Sequence, residues 1–234
     1  MTLTFKPIAS SSLGNAYIVD DGKTKLLIEC GLKFREIQIA LDFQTSKIAG
    51  CLLSHEHDDH SHSVRDVLKA GIRVYTSKGT QQALGIKHHR IKTIEARKQF
   101  RIGSFTILPF ETEHDANEPL GFLIESDAGE RLLFATDTYF IRYRFERLNI
   151  IAVECNYSEE ILRQNILDGI VPVVTKRRLV QSHFSLENYK EFLRANDLSH
   201  VREIWLIHMS NRNADADLFK REIQQLTGKP VYIA

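Results

Sequence analysis

The sequence predicts an α/β fold, on three observations. Apolar runs of strand length recur at 48–54, 105–110, 132–135, 150–153 and 204–208. Two segments carry a helical signature: 63–70, with Val64, Val67 and Leu68 on one face, and 186–195, which follows the capping residues Ser182 and Ser185. The strand-like runs also end on or just before a histidine or an acidic residue. His55 follows the first, His114 the second, Asp137 the third and Glu154 the fourth, while His208 closes the fifth.

The first of these ends is the densest. His55-Glu56-His57-Asp58-Asp59-His60, expected on the loop where the 48–54 strand ends, places four potential metal ligands, His55, His57, Asp59 and His60, within six residues. Neutral imidazoles with a carboxylate are what borderline divalent cations prefer, and no cysteine enters the set to make a closed structural site. His55 and His57 are two apart, so on an extended segment they leave from the same side, while Asp59 and His60 turn toward a second point. A lone histidine or aspartate after a strand is most often a cap or a solvated turn residue. His114, Asp137 and His208 repeat the placement in one chain, and the repetition argues for a shared site.

This layout resembles the metallo-β-lactamase superfamily, and the resemblance runs along nearly the whole chain. It implies a four-layer αββα sandwich, two strand-and-helix halves face to face, and one or two metals at the sheet edge. Carried over by residue, it implies that His55, His57 and His114 hold a first ion, that Asp59, His60 and His208 hold a second, and that Asp137 bridges them. Two divalent ions are implied as cofactors, zinc first and manganese as the alternative.

Shorter stretches are similar to the YycJ/WalJ-type group, whose members are thought to be DNA exonucleases: 9–15, Leu27-Ile28-Glu29-Cys30-Gly31-Leu32, His114-Asp115-Ala116, Glu154-Cys155-Asn156 and Lys176-Arg177-Arg178. Phage anti-Pycsar phosphodiesterases, which destroy cyclic-nucleotide signals, share the fold and two-metal site with that group and with tRNase Z. Glu29 departs from the pattern, standing where the superfamily usually has an aspartate that braces the ligand loop. In the tRNase Z pattern a glutamate after a strand orients a histidine just before the next helix, and that histidine protonates the leaving oxygen. Glu154 and His183 occupy those places. A phosphodiester's alkoxide is a poor leaving group, so a general acid that titrates near neutrality suits the task. Asp59, His183 and Glu154 are therefore the candidate catalytic residues, Asp59 doubling as a ligand. Glu56, Asp58 and Asp115 are candidates to orient the ligating imidazoles.

Composition bounds the rest. The chain has 234 residues, 43% of them hydrophobic, enough for a full core. No linker or repeat divides it, so one domain spanning 1–234 is expected. The start lacks a signal-peptide pattern and no segment reaches the roughly 18 apolar residues of a membrane span. Cys30, Cys51 and Cys155 lie in or beside apolar runs, as reduced thiols of a cytoplasmic protein do. The expected location is the cytoplasm, the host's if the chain is phage-encoded.

Lys and Arg total 31 against 30 for Asp and Glu, so no general positive field is available to hold a long polyanion. Basic clusters exist at 87–90, 97–98, 142–147 and 176–178. The long basic arm with which tRNase Z grips tRNA is missing, since only about thirty residues separate Glu154 from His183. These points favour a small phosphodiester, such as a cyclic nucleotide, as substrate; a DNA exonuclease or other nuclease is the alternative, and a thioester or lactone hydrolase ranks third. Ser12, Asn15, Lys176 and Arg177 are the expected substrate contacts, although a turn between two strands is the plainer reading of 10–14. A small ligand needs walls, which loops of a second subunit would supply in a homodimer.

Overall fold

A computed structural model describes residues 2–234, and the chain builds two compact units. One holds the residues up to Glu111 together with Ala116–Arg131, and the other Thr112–Asp115 with Leu132–Ala234.

The first unit opens with a hairpin of β1 (Thr4–Ser11) and β2 (Gly14–Asp20), closed by the two residues Ser12 and Leu13. β3 (Lys25–Ile28) pairs antiparallel with β2, and β4 (Ile48–Leu52), β5 (Val74–Thr76) and β6 (Ile91–Thr93) then add in parallel, in the order β1 to β6. Parallel neighbours need crossovers, and helices supply them. They are α1 (Phe34–Ala40), α2 (Asp58–Ser61), α3 (Val64–Lys69) and α4 (Lys78–Ala83). Ile37, Val64, Val67 and Leu68 on those helices pack with Leu27, Cys51 and Val74 of the strands in one buried cluster. The same unit contains β7 (Phe100–Ile102), β8 (Phe105–Glu111) and β9 (Leu120–Ser126), antiparallel in that sequence.

In the second unit four strands run parallel: β10 (Arg131–Ala135), β11 (Ile150–Glu154), β12 (Glu203–Ile207) and β13 (Val231–Ile233). Every residue of β11 is buried, which explains its continuous apolar sequence. The helices α5 (Glu159–Leu167), α6 (Val173–Ser182) and α7 (Leu186–Ala195) lie between β11 and β12 in sequence, and α8 (Ala216–Thr227) between β12 and β13. Ser185 caps α7 by accepting the Asn188 N–H, as the sequence signal predicts, and Leu186, Tyr189, Phe192 and Leu193 form the helix's buried face.

Parallel register is what gathers the candidate residues. Ile28 pairs with Leu52, so Glu29 and the loop entered at Leu53 leave the same edge of the first sheet. In the second unit Ala135 pairs with Val153 and Glu154 with Ile207, so Asp137, Glu154 and His208 emerge together.

The structure departs from the sequence reading in one place near the site. The whole run 55–60 was expected on a loop, yet Asp58–Ser61 forms a helical turn, with the amides of His60 and Ser61 bonded to the His57 carbonyl. Asp58 and Asp59 fall in its first turn, where carboxylates offset the helix dipole.

Gly31 shows how tightly this turn is packed. A Cβ there would sit 1.7 Å from the Asp59 carbonyl oxygen, a backbone atom that cannot swing aside. Gly31→Ala is therefore expected to destabilise the protein by about 1–3 kcal/mol or more, read as a lower denaturant midpoint.

Candidate metal centre

In the first unit the ligand loop is held by three buried polar residues. Glu29 is fully buried; one of its oxygens accepts the Ser54 N–H at 3.2 Å and the other lies 3.5 Å from His60 Nδ1. Burial outweighs those contacts and pushes its carboxyl above the ordinary range. The longer side chain thus reaches the loop from where the shorter aspartate is usual. Ser54 places its hydroxyl 2.8 Å from His55 Nδ1. Asn15, also fully buried, donates to the Asp59 carbonyl at 3.1 Å and lies 3.3 Å from His60 Nε2.

These contacts decide which nitrogens face one another. His55 Nε2 lies 3.1 Å from His57 Nδ1, and Asp59 Oδ2 lies 3.3 Å from His60 Nε2. The rings of His55 and His60 are 4.3 Å apart.

The second unit carries a matching cluster. His114 donates from Nδ1 to the Ser182 carbonyl at 3.1 Å, and His208 Nδ1 lies 3.1 Å from Glu154 Oε1. Both then turn Nε2 to Asp137: His114 at 3.6 Å from Oδ2 and His208 at 3.5 Å from Oδ1. Those spacings are long for hydrogen bonds. They match two donors on one tetrahedral cation, which at bond lengths of ~2.0–2.2 Å sit roughly 3.3–3.5 Å apart. Each oxygen of Asp137 faces a different histidine, the disposition a bridging carboxylate needs. Burial holds the His114 imidazole below its ordinary pKa in spite of Asp137, which favours the neutral, ligating form.

Beside this cluster stands His183, whose Nδ1 lies 2.6 Å from Glu154 Oε1. Its ring stacks on His208 at 5.6 Å, only 9° from parallel. The ligating atoms of Asp137, Glu154, His183 and His208 lie within 4.8 Å of one another. Burial works against the charged imidazolium, but the Glu154 charge and hydrogen bond outweigh it and raise His183 above its ordinary value. Glu154 responds oppositely: burial favours its neutral form, yet the charge and bond of His183 hold the carboxyl below its usual range.

The other expected residues are spread more widely. Asp115 accepts from the Ser182 hydroxyl at 3.1 Å and from Arg178 at 3.2 Å, so it lies close behind His114. Glu56 ties the loop to Asn117, accepting from its N–H at 2.9 Å, while Asp58 reaches only the exposed His62. Ser12 is exposed at the hairpin turn; Lys176 and Arg177 are exposed on α6, and Arg177 lines a cavity of about 530 Å³ with His114. Asn15, another of the expected substrate contacts, is buried and donates its amide to the Ser11 and Asp59 carbonyls. Cys30, Cys51 and Cys155 are buried and unbridged. Among the described residues no helix is long and apolar enough to cross a membrane.

Parallel strands that bring histidines and carboxylates to their carboxyl ends define a metallo-hydrolase type of site. Residues 24–209 match the β-lactamase superfamily domain, and the chain belongs to that family. Exodeoxyribonuclease WalJ of Streptococcus pneumoniae is 27% identical over 223 residues, covering 88% of this chain and 81% of that protein. The metallo-β-lactamase fold protein YhfI of Bacillus subtilis superposes with a TM-score of 0.77 at 16% identity, covering 99% of this chain and 95% of YhfI. The short form of human tRNase Z gives 0.68 at 12% identity, covering 98% and 95%. The fold is the metallo-β-lactamase sandwich, as the sequence predicted.

The contacts of Glu29 generate a test. Glu29→Ala removes the group facing His60 Nδ1 and is expected to weaken metal affinity about 10–100-fold, as loss of such supporting groups does, measured by competition with a chromogenic chelator.

Proposed function

We propose that this chain is a metal-dependent phosphodiesterase whose substrate is a small cyclic nucleotide. The observation that carries the reaction class is the Glu154–His183 pair at 2.6 Å, beside the cluster of Asp137 and His208. We assign His55, His57 and His114 to one divalent ion, Asp59, His60 and His208 to a second, and Asp137 to both. Zinc is the first choice and manganese the alternative. Imidazoles with a carboxylate are the donor types that such ions prefer. When bound, they would lower the pKa of a water and neutralise charge building on the phosphoryl oxygens.

The chain's own residues supply the remainder. Glu154 accepts from His183 Nδ1, which leaves the Nε2 proton to be given to the departing alkoxide. The Glu154 charge and hydrogen bond outweigh burial and raise the imidazole's pKa, which favours its protonated form. Ser12, Asn15, Lys176 and Arg177 remain proposed contacts to the substrate, and a homodimer remains the proposed assembly.

The small substrate is favoured by a net charge of +1 and by the missing basic arm. A second reading, a DNA exonuclease, is favoured by the match to WalJ across most of both chains. With manganese at physiological salt, cyclic mononucleotides are expected to be hydrolysed faster than linear, nicked or single-stranded DNA or precursor tRNA. Processive shortening of DNA while cyclic nucleotides persist would establish the exonuclease instead.

Two further outcomes test the site. Protein purified without chelator should contain about two equivalents of zinc or manganese, and Asp137→Ala should lower both, since one carboxylate serves two ions. His183→Ala should slow hydrolysis by roughly a hundredfold or more with metal content unchanged. Bis-p-nitrophenyl phosphate, whose leaving group needs no proton, should lose far less; an equal loss on both substrates would remove the acid role.

A further inference from the structure

A cavity of about 360 Å³ lies between the 140–144 segment and α7. That is the small end of the range for ligand pockets, ~300–1,000 Å³. Four aromatic rings line it, Phe140, Tyr143, Phe184 and Phe192, with the amide of Asn188 alongside. Phe184 and Phe192 are buried and meet edge to face with centroids 6.2 Å apart, so this wall is rigid. Phe140 is different: a large ring left 52% exposed at the opposite side. Asn188 gives its backbone N–H to the cap of α7, and among the described residues its side-chain amide makes no hydrogen bond.

The cavity is tied to the catalytic pair by backbone hydrogen bonds. Phe184 directly follows His183 and donates its N–H to Glu154 Oε2 at 3.3 Å. Thr138, next to Asp137, donates its N–H to the same oxygen at 3.0 Å, and its hydroxyl donates to the Phe140 carbonyl at 2.8 Å. Both aromatic walls therefore hang from the carboxylate that holds His183 and His208.

We propose that this cavity takes the nucleobase of the substrate, an assignment that rests on the phosphodiesterase reading. Flat heteroaromatic rings stack on exposed phenylalanine whatever their identity, and a free amide offers one donor group and one acceptor to a base edge. An aliphatic or sugar-only phosphodiester would use neither. The site would thus make the enzyme prefer nucleotides over other phosphodiesters of equal reactivity.

Phe140 and Asn188 are both exposed, so their replacement leaves the core intact. Steady-state kinetics would compare a cyclic mononucleotide with methyl p-nitrophenyl phosphate, which carries no base. Phe140→Ala is expected to raise KM for the nucleotide about tenfold or more, as loss of a base stack does, with kcat little changed. Asn188→Ala should do the same to a smaller extent, Phe140→Trp should restore KM, and methyl p-nitrophenyl phosphate should be unaffected by all three. Saturation-transfer NMR with adenosine and cytidine reads the cavity without turnover: signal with the native protein and its loss in Phe140→Ala are expected. No nucleoside signal from the native protein, or equal KM changes on both phosphodiesters, would overturn the proposal. If nucleosides bind through Phe140 while neither phosphodiester is cleaved, the cavity stands and the reaction assignment is what fails.

Discussion

A buried imidazole presents a lone pair at Nε2 only if its Nδ1 proton has somewhere to go, and that constraint runs through the cluster of each unit. His55 meets the Ser54 hydroxyl, His60 faces Glu29, His114 donates to the Ser182 carbonyl, and His208 and His183 share Glu154. The Ser182 carbonyl can only accept, so it fixes the tautomer of His114, and the other partners hold their rings in orientation. Glu154 carries the greatest share. It is fully buried and is met by Thr138 and Phe184 backbone amides as well as the two imidazoles, so its charge is compensated on every side. Removing one member of such a set leaves a charge in a dry interior, which costs about 3–5 kcal/mol. His183, His208 and the segments that follow Asp137 and His183 are thereby made parts of a single hydrogen-bonded assembly.

Backbone strain at three of the key positions has the same origin. Glu29, Asp137 and His208 all have positive φ, at 60°, 46° and 51°. Glu29 and His208 are the first residues beyond β3 and β12, and Asp137 is the second beyond β10. A left-handed residue turns the chain sharply at the strand end and throws its side chain across the sheet edge. Glycine would adopt that conformation without cost, but it has no side chain to deliver. Each such residue costs on the order of 1–3 kcal/mol, held in place by the ladders on one side and the polar contacts on the other. Gly31, which must be bare because the Asp59 carbonyl passes over it, is the complementary case.

Much of this was legible in the chain. Continuous apolar runs marked β4, β8, β10, β11 and β12 to within two residues; β11 and nearly all of β10 are buried on both faces and have no polar alternation to obscure them. The helix at 186–195 was legible, and of the two serines offered as caps Ser185 is the one that caps it. The acceptors were harder to see. Ser182 acts through its carbonyl, which no side-chain pattern reports, and Asn15 meets Asp59 and His60 across more than forty residues of sequence. Ser54 was within reach, being the neighbour of His55. The helical turn at Asp58–Ser61 was missed because four residues are too few for periodicity. The aromatic cavity was hidden for a different reason: Phe140 and Asn188 lie far apart in sequence and meet only through the fold.

Substrate choice depends on how the positive charges are used. Arg97 pairs with Glu111, Lys98 with Glu95, Arg101 with Asp127, Arg142 with Glu113 and Arg178 with Asp115. Exposed pairs of this kind contribute little stability, but they offset the charge of 97–98 and part of that of 142–147 and 176–178. Screening by salt over about 8 Å reduces what is left. A long polyanion approaching such a surface is met by alternating signs and gains little from counterion release. Selection must then come from short-range fit at the bound phosphate and the groups next to it. Under the proposed phosphodiesterase reading, that is the regime in which the exposed ring of Phe140 and the amide of Asn188 would have the most influence on the choice of substrate.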